Sequence, residues 1–474
     1  MDKTGKPTVF VVTDNFIHDA KSAAEDNAMP TLRMITVPAK DYYRRRISRE
    51  EITPVAVAAF NPLVDAMIRP LTGEEANPKL KVVQKSEVIR IDAESYDLAL
   101  EKFNQLFLDN HWGSGLPLIP PTPERVKWML TGTKRSPQEV IGVVAPKKGV
   151  ATIEKIAINA VMAGAKPEYL PVIIAAMEGL TDKNFDLLHV MASTGSFTLQ
   201  ILVNGPIAKE IGMNSGIGFL GYGWRANNTI GYAVRLSLIN LGHVWPAEND
   251  MALVGRPSSH TFNTFSENEE NSPWEPFHVA FGYKAEDSCV TVSTLNSYSS
   301  LGSITVFGGG AVTVWSPQSI LDKMVQTISR DRAFMTIWKL GTAIPSPSRH
   351  TILIHPEFAM EINRLGFTRK GLQKYLYERS VIPYEQLTQK EIESVQRRMD
   401  AGEIPQDRMA AFKEALKPGG KFPLLLRPED IHIVVTGGIP GYALGSFYFS
   451  TPPYGVTAVQ TKLIQGATLT KGGR

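Results

Sequence analysis

Two histidines, four glutamates, a tryptophan and two prolines crowd into residues 260–283, HTFNTFSENEENSPWEPFHVAFGY. Carboxylates and imidazoles are the side chains of general acid–base catalysis and of divalent-cation sites. His260 and His278 stand 18 positions apart, with Glu267, Glu269 and Glu270 between them. A glutamate–histidine pair for proton transfer needs only convergence in space. Glu275 lies between Trp274 and Pro276. Burial of those neighbours is expected to draw Glu275 inward and raise its pKa toward general-acid use. The candidate catalytic set is therefore Glu275, His278, Glu267 and Glu269. A metal site and a solvated loop anchored by Trp274 are the other two readings, and the identity of any metal or cofactor stays unknown.

Two further stretches suit ligand binding. APKKGVATIEK (145–155) sets Lys147 and Lys148 before an expected helix start, where free N–H groups and cationic side chains favour an anion. NSGIGFLGYGWRANNT (214–229) runs through four glycines into Trp224 and Arg225. Glycine admits close approach to the backbone, and arginine holds a carboxylate or phosphate with two parallel bonds. The candidate substrate-binding set is Arg225, Asn227, Lys147, Lys148, Asn214 and Trp274; the plain alternatives are a solvated loop at the two lysines and a structural glycine turn at 214–229. GIGFLG satisfies GxGxxG by letters, but no strand adjoins it and no acidic residue follows at the required distance, so a dinucleotide site is rejected. Cys289, the single cysteine, sits in a strand-like DSCVTV and reads as an inert buried residue.

The elements that must position these groups alternate. TVFVVT (8–13) and TLRMITVP (31–38) read as strands, and 48–73 reads as mostly helical. That order predicts a parallel strand–helix–strand–helix unit too short to close its own sheet. Residues 71–80 read as a polar linker. Further on, VIGVVAP reads as a strand, 147–180 as two helices, and 303–317 as two strand-like pieces around a triple glycine. Residues 367–416 read as a charged, solvated helical layer, and 430–449 as a strand, a glycine-rich turn and a second strand. IEKIAINAVMAGAKPE resembles IGYAVRLSLINLGHVWPAE, so an internal duplication is one reading and chance likeness of amphipathic helices the other. The expected fold class is α/β: a partial parallel N-terminal unit beside a larger mixed α/β (α+β) domain.

Composition narrows the class. The chain has 474 residues, 43% hydrophobic and 20% charged, enough for a large core. A net charge of +3 gives no case for nucleic acid. No run of 18 uncharged apolar residues occurs, so no membrane partner is expected. The start lacks secretory features, and one cysteine excludes an internal disulfide, so a cytoplasmic location is the simplest expectation.

The run PTVFVVTDNFIHDAKSAAEDNAMPTLRMITVP resembles the second half of the UGSC-motif family, proteins built around a selenocysteine- or cysteine-Gly-Ser-Cys motif. GLPLIPPTPERV, GWRANNTIGYAVRL, ENEENSPWEPFHV and GFTRKGLQKYLYERSVIP look like the larger region associated with such domains. The motif itself is absent, and Pro38-Ala39-Lys40 stands where the family has Pro-His-Pro. The resemblance implies a truncated UGSC-like unit over 1–73 and a main domain over 74–385. A charged helical segment (386–422) and a C-terminal strand and turn completing the main domain (423–474) follow. It also implies a second polypeptide carrying the missing Cys/Sec motif. The chain is then expected to be the large subunit of a hetero-oligomeric enzyme acting on a small, anionic organic molecule. A lyase, a hydrolase and a thiol-linked redox step all fit. A non-catalytic binding or scaffold subunit and a self-contained metal-dependent enzyme are the alternatives.

Overall fold

The computed structural model describes residues 8–42, 47–78, 88–295, 297–303, 317–330, 350–402, 404–425, 427–438, 446–451 and 459–468. It has the expected α/β character, with helices packed on mixed parallel and antiparallel sheets.

The N-terminal unit follows its apolar pattern. β1 (Val9–Thr13) and β2 (Arg33–Val37) pair in parallel, from Val9 opposite Arg33 to Thr13 opposite Val37, with α1 (Ile17–Asp26) as the crossover. After the short α2 (Ala39–Tyr42), α3 (Arg49–Ile68) starts at a Ser48–Glu51 capping box. Its interior holds Pro54 and Pro62, each of which removes a helix hydrogen bond. Part of the expected linker is helical instead: Thr72 and Glu75 form a second capping box at α4 (Gly73–Ala76). Arg33 ties the unit together. It donates to the carbonyls of Ala66, Arg69 and Pro70 at the end of α3, and in a two-bond pair to Glu75 at 2.8 Å. A cation there offsets both the unpaired carbonyls and the helix dipole. Among the described residues the sheet has two strands. Outward from it, α3 exposes Val57, Phe60 and Ile68 at 62, 61 and 75%. By length and apolarity α3 would reach across a bilayer, which the sequence reading did not anticipate.

The body begins with α5 (Tyr96–Asp109) and α6 (Pro123–Leu130), then an antiparallel hairpin of β3 (Val140–Val144) and β4 (Gly149–Thr152). The hairpin corrects one expectation. The helix that follows, α7 (Ile153–Met162), starts only after β4, with Thr152 accepting from Lys155 N. Lys147 and Lys148 therefore sit at the hairpin tip and not at a helix N-terminus. α8 (Leu170–Leu180) and α9 (Leu187–Ala192) lead to the first large sheet.

That sheet has the order β14–β7–β5–β6, and a second has the order β8–β13–β9–β12. β5 (Thr198–Asn204) and β6 (Asn263–Ser266) are parallel, with α10 (Pro206–Glu210) and α11 (Arg225–Gly242) between them in the chain. β7 (Cys289–Leu295) is antiparallel to β5. One residue later β8 (Ser297–Ser303) belongs to the other sheet. After α12 (Pro317–Arg330), β9 (His350–Ile354) is followed by α13 (Pro356–Arg364), α14 (Arg369–Arg379), β10 (Val381–Pro383), α15 (Gln389–Asp400), α16 (Met409–Ala415) and β11 (Lys421–Pro423). β12 (Ile431–Val435) then returns parallel to β9, and β13 (Ser446–Thr451) lies antiparallel to it. β14 (Val459–Leu463) crosses back to pair with β7. The triple-glycine stretch (304–316) and the turn at 439–445 lie outside the described residues.

The two sheets thus repeat one topology, and each half gives its last strand to the other. A sequence trace accompanies it. ILVNGPIAKEI (201–211) and ILIHPEFAMEI (352–362) share five of eleven residues without a gap, and in both the strand end turns straight into a helix. The helix likeness noted in the sequence is a different matter, because α7 and α11 pack side by side in the same half, with Asn240 donating to Asn159 at 2.8 Å.

α7, α8 and α11 bury one core against the first sheet, and α12 to α16 bury another against the second. Between them, Leu202 faces Phe265 and Leu353 faces Val434 in equivalent registers. These four residues form a small third core with Phe219 and Phe277. Phe265→Ala is expected to cost about 3–5 kcal/mol, as for other fully buried phenylalanines, read as a lower urea midpoint for both sheets together. In the N-terminal unit, the Arg33 hydrogen bonds hold the Glu75 carboxyl down to about 2. The folded value lies below the unfolded one, so the stabilisation is complete above the ordinary carboxylate range and is lost as pH falls through about 2. Hydrogen exchange of residues 66–76, corrected for intrinsic rate, should show that loss in the wild type and a smaller one in Arg33→Ala, where Thr72 N still donates to Glu75.

Candidate functional site

The register of the first sheet decides where the acids go. Val203 pairs with Ser266, so the next residues, Asn204 and Glu267, leave the carboxyl ends of β5 and β6 side by side. Asn204 Nδ2 donates to Glu267 at 2.6 Å and to Glu269 at 2.8 Å. Phe277 N donates to Glu267 at 2.6 Å, and Arg369 Nη2, from the first residue of α14, completes the set at 2.6 Å. The Glu267 side chain is wholly buried and that of Arg369 nearly so. Burial pushes the Glu267 carboxyl upward, opposed by Arg369, the Phe277 amide and Asn204.

The other acids divide the work. Glu269 accepts from Gly205 N at 2.8 Å, in front of α10. Gly205 has φ +85°, and a Cβ there would lie 2.2 Å from the Asp287 carbonyl, so only glycine makes this turn. Glu270 pairs with Lys209 on the surface. Glu275 stays exposed, against the expectation of burial. Trp274 and Phe277 are buried on either side of it, but the chain turns between them, and among the described residues only the Glu275 carbonyl is engaged, by Arg369 Nη1. His278 is fully buried, and its Nε2 donates to the Lys284 carbonyl at 2.8 Å, while Nδ1 has no hydrogen-bond partner among the described residues. Trp274 Nε1 donates to the Phe367 carbonyl at 3.0 Å, and the Arg369 guanidinium lies 5.9 Å from its ring. Among the described residues no group of three acidic, histidine or cysteine side chains is placed to hold a metal ion.

The expected ligand-binding residues are engaged elsewhere. Arg225 does open α11, yet Nε and Nη2 both donate to the Gly164 carbonyl beyond the end of α7, at 3.1 and 2.9 Å. Lys148 Nζ donates to Asn27 of the N-terminal unit, and Lys147 is exposed. Asn227 is buried and clamps the glycine-rich loop, accepting from Asn214 N and donating to the carbonyls of Asn214 and Phe219. Asn214 in turn holds Gly216 N and the Ile217 carbonyl. Burial pushes the Cys289 thiol up to about 12, which suits an inert residue.

The loop that Asn227 clamps meets the second sheet. Gly437 N donates to the Ser215 carbonyl at 2.7 Å, and Thr436 Oγ1 donates to the carbonyls of Ser215 and Ser266. Asn268 N donates to the Val435 carbonyl at 2.8 Å, stitching β6 to β12. Gly437 and Gly438 both have left-handed φ, and a Cβ on Gly438 would fall 2.4 Å from His355 Nδ1. His355, Thr436–Gly438 and loop 214–224 therefore converge outside the carboxyl ends of the parallel strands, the position where open α/β sheets take their ligands.

Sequence reasoning missed Arg369, Asn204 and His355. Arg369 read as one charge in a solvated layer, and Asn204 was not singled out. The eleven-residue repeat was the signal that would have aligned Asn204 with His355. Set against protein-family models, curated proteins and solved structures, the chain matches none.

Arg369→Met should destabilise the fold by about 3–5 kcal/mol by leaving a buried carboxylate unpaired. With Glu267 raised further, that variant gains stability as pH falls and loses it as pH rises through the raised value. Adding Glu267→Gln should restore most of the loss and abolish the pH dependence, both read by urea denaturation at several pH values.

Proposed function

We propose that this chain is the large subunit of a hetero-oligomeric enzyme acting on a small organic molecule. A second polypeptide completes its N-terminal unit. The observation that carries the proposal is the unfinished state of that unit. Among the described residues two parallel strands form its sheet, with Phe10 and Val11 of β1 exposed at 47 and 45% and α3 turning Val57, Phe60 and Ile68 to solvent. Apolar strand edges left open in this way invite another chain. The resemblance to UGSC-motif proteins gives that chain a chemistry, a Cys/Sec-Gly-Ser-Cys thiol brought to the assembly.

The small molecule is assigned to the crevice of His355, Thr436–Gly438 and loop 214–224. An anionic substrate draws no support from Arg225 or Lys148, whose donors are directed at a carbonyl and at Asn27. The exposure of Glu275 favours a second reading, a non-catalytic binding subunit with the same assembly.

Light scattering of the protein from its native source tests the assembly. The expected mass is a whole multiple of 52.2 kDa plus the mass of a second polypeptide. A homogeneous species of the chain alone, with nothing else bound, would contradict it. The crevice is tested by a thermal-shift screen of small metabolites. A compound that raises the wild-type midpoint should fail with Gly438→Ala, whose methyl group displaces His355. An equal shift in both would place the ligand elsewhere.

A further inference from the structure

We propose that the groove between β1 and α1 seats an apolar segment of a second polypeptide, with a basic side chain of that segment meeting Asp19. The proposal rests on the hetero-oligomeric reading above and names the surface and the chemistry through which it is achieved. The groove has a volume of about 540 Å³ and is lined by Phe10, Val11, Phe16, Met29 and Leu32 around a floor of alanines from α1. Small residues at Ala20, Ala23 and Ala24 leave room for an incoming chain where larger ones would fill the space themselves.

Asp19 is the one carboxylate in this lining. It is half-buried, and among the described residues it has neither a hydrogen-bond nor an ion-pair partner. Burial alone moves its carboxyl, upward. A carboxylate held in an apolar wall without a partner is costly, and a cation delivered by the occupant removes that cost. Charge also argues against a second copy of this chain. A two-fold contact repeats the same surface on both sides, so groove would face groove and Asp19 would gain only another acidic wall. The body of this chain reaches the rim, where Lys148 donates to Asn27, and the groove beyond it stays open. The second edge of β1, unpaired among the described residues, suits an extended segment that adds to the sheet.

The test places benzoylphenylalanine at Phe10 in the full chain, which is then isolated from its native source after irradiation. Mass spectrometry identifies the joined peptide. The expected product joins position 10 to a polypeptide other than this chain. Asp19→Lys should lower the retained amount of that polypeptide tenfold or more, with circular dichroism unchanged. A cross-link to a second copy, or to another part of this chain, overturns the proposal. So does an assembly that keeps its second polypeptide with no cross-link at position 10, or one indifferent to Asp19→Lys. In those two cases the hetero-oligomer stands and this docking surface falls. A preparation with no second polypeptide at all removes both.

Discussion

The carboxylate of Glu267 has no access to water, and much of the molecule is arranged around that fact. A buried charge needs donors on every side. Asn204 reaches it because β5 and β6 are paired in a register that brings their carboxyl ends level. Phe277 N reaches it because Trp274 and Phe277 are buried and fold the acidic segment back over the strand ends. Arg369 reaches it from the second half of the chain, and in the same geometry holds the Glu275 carbonyl. One ion pair therefore fixes the segment, the start of α14 and the approach of the two sheets.

The repeated topology explains why the two halves are unlike at this point. Glu267 follows β6 and Thr436 follows β12, so the two residues hold equivalent places. Asn204, the last residue of β5, likewise matches His355, the first residue after β9. The first half fills its place with an acid and closes it with three donors. The second half carries a threonine and a pair of left-handed glycines, with an imidazole against them. The exchange of β8 and β14 between sheets means that neither half can be completed without the other.

The α/β class and the short parallel N-terminal unit were legible because β1, β2, α1 and α3 obey simple periodicities and have clear caps. The acidic segment was legible as a feature, and its aromatic residues as buried. Its geometry was not. Which of Glu267, Glu269, Glu270 and Glu275 is buried depends on the strand register and on an arginine a hundred positions away. Arg225 was placed correctly at a helix start, but the direction of its guanidinium depends on the packing of α11 beside α7. Lys147 and Lys148 were misplaced because β4, only four residues long, intervenes before α7. The duplication was sought in two helices that look alike, while the real repeat lies in a strand-to-helix turn, where five matches in eleven are easily passed over.

The central claim is that the two sheets are one cooperative body, locked by exchanged strands and by the Glu267–Arg369 pair. Native-state hydrogen exchange in low urea tests it most directly. The account predicts that the slowest amides of β5 and β7 and those of β9 and β12 open with the same free energy and the same urea dependence. Separate openings, with one sheet exchanging while the other stays protected, would contradict it.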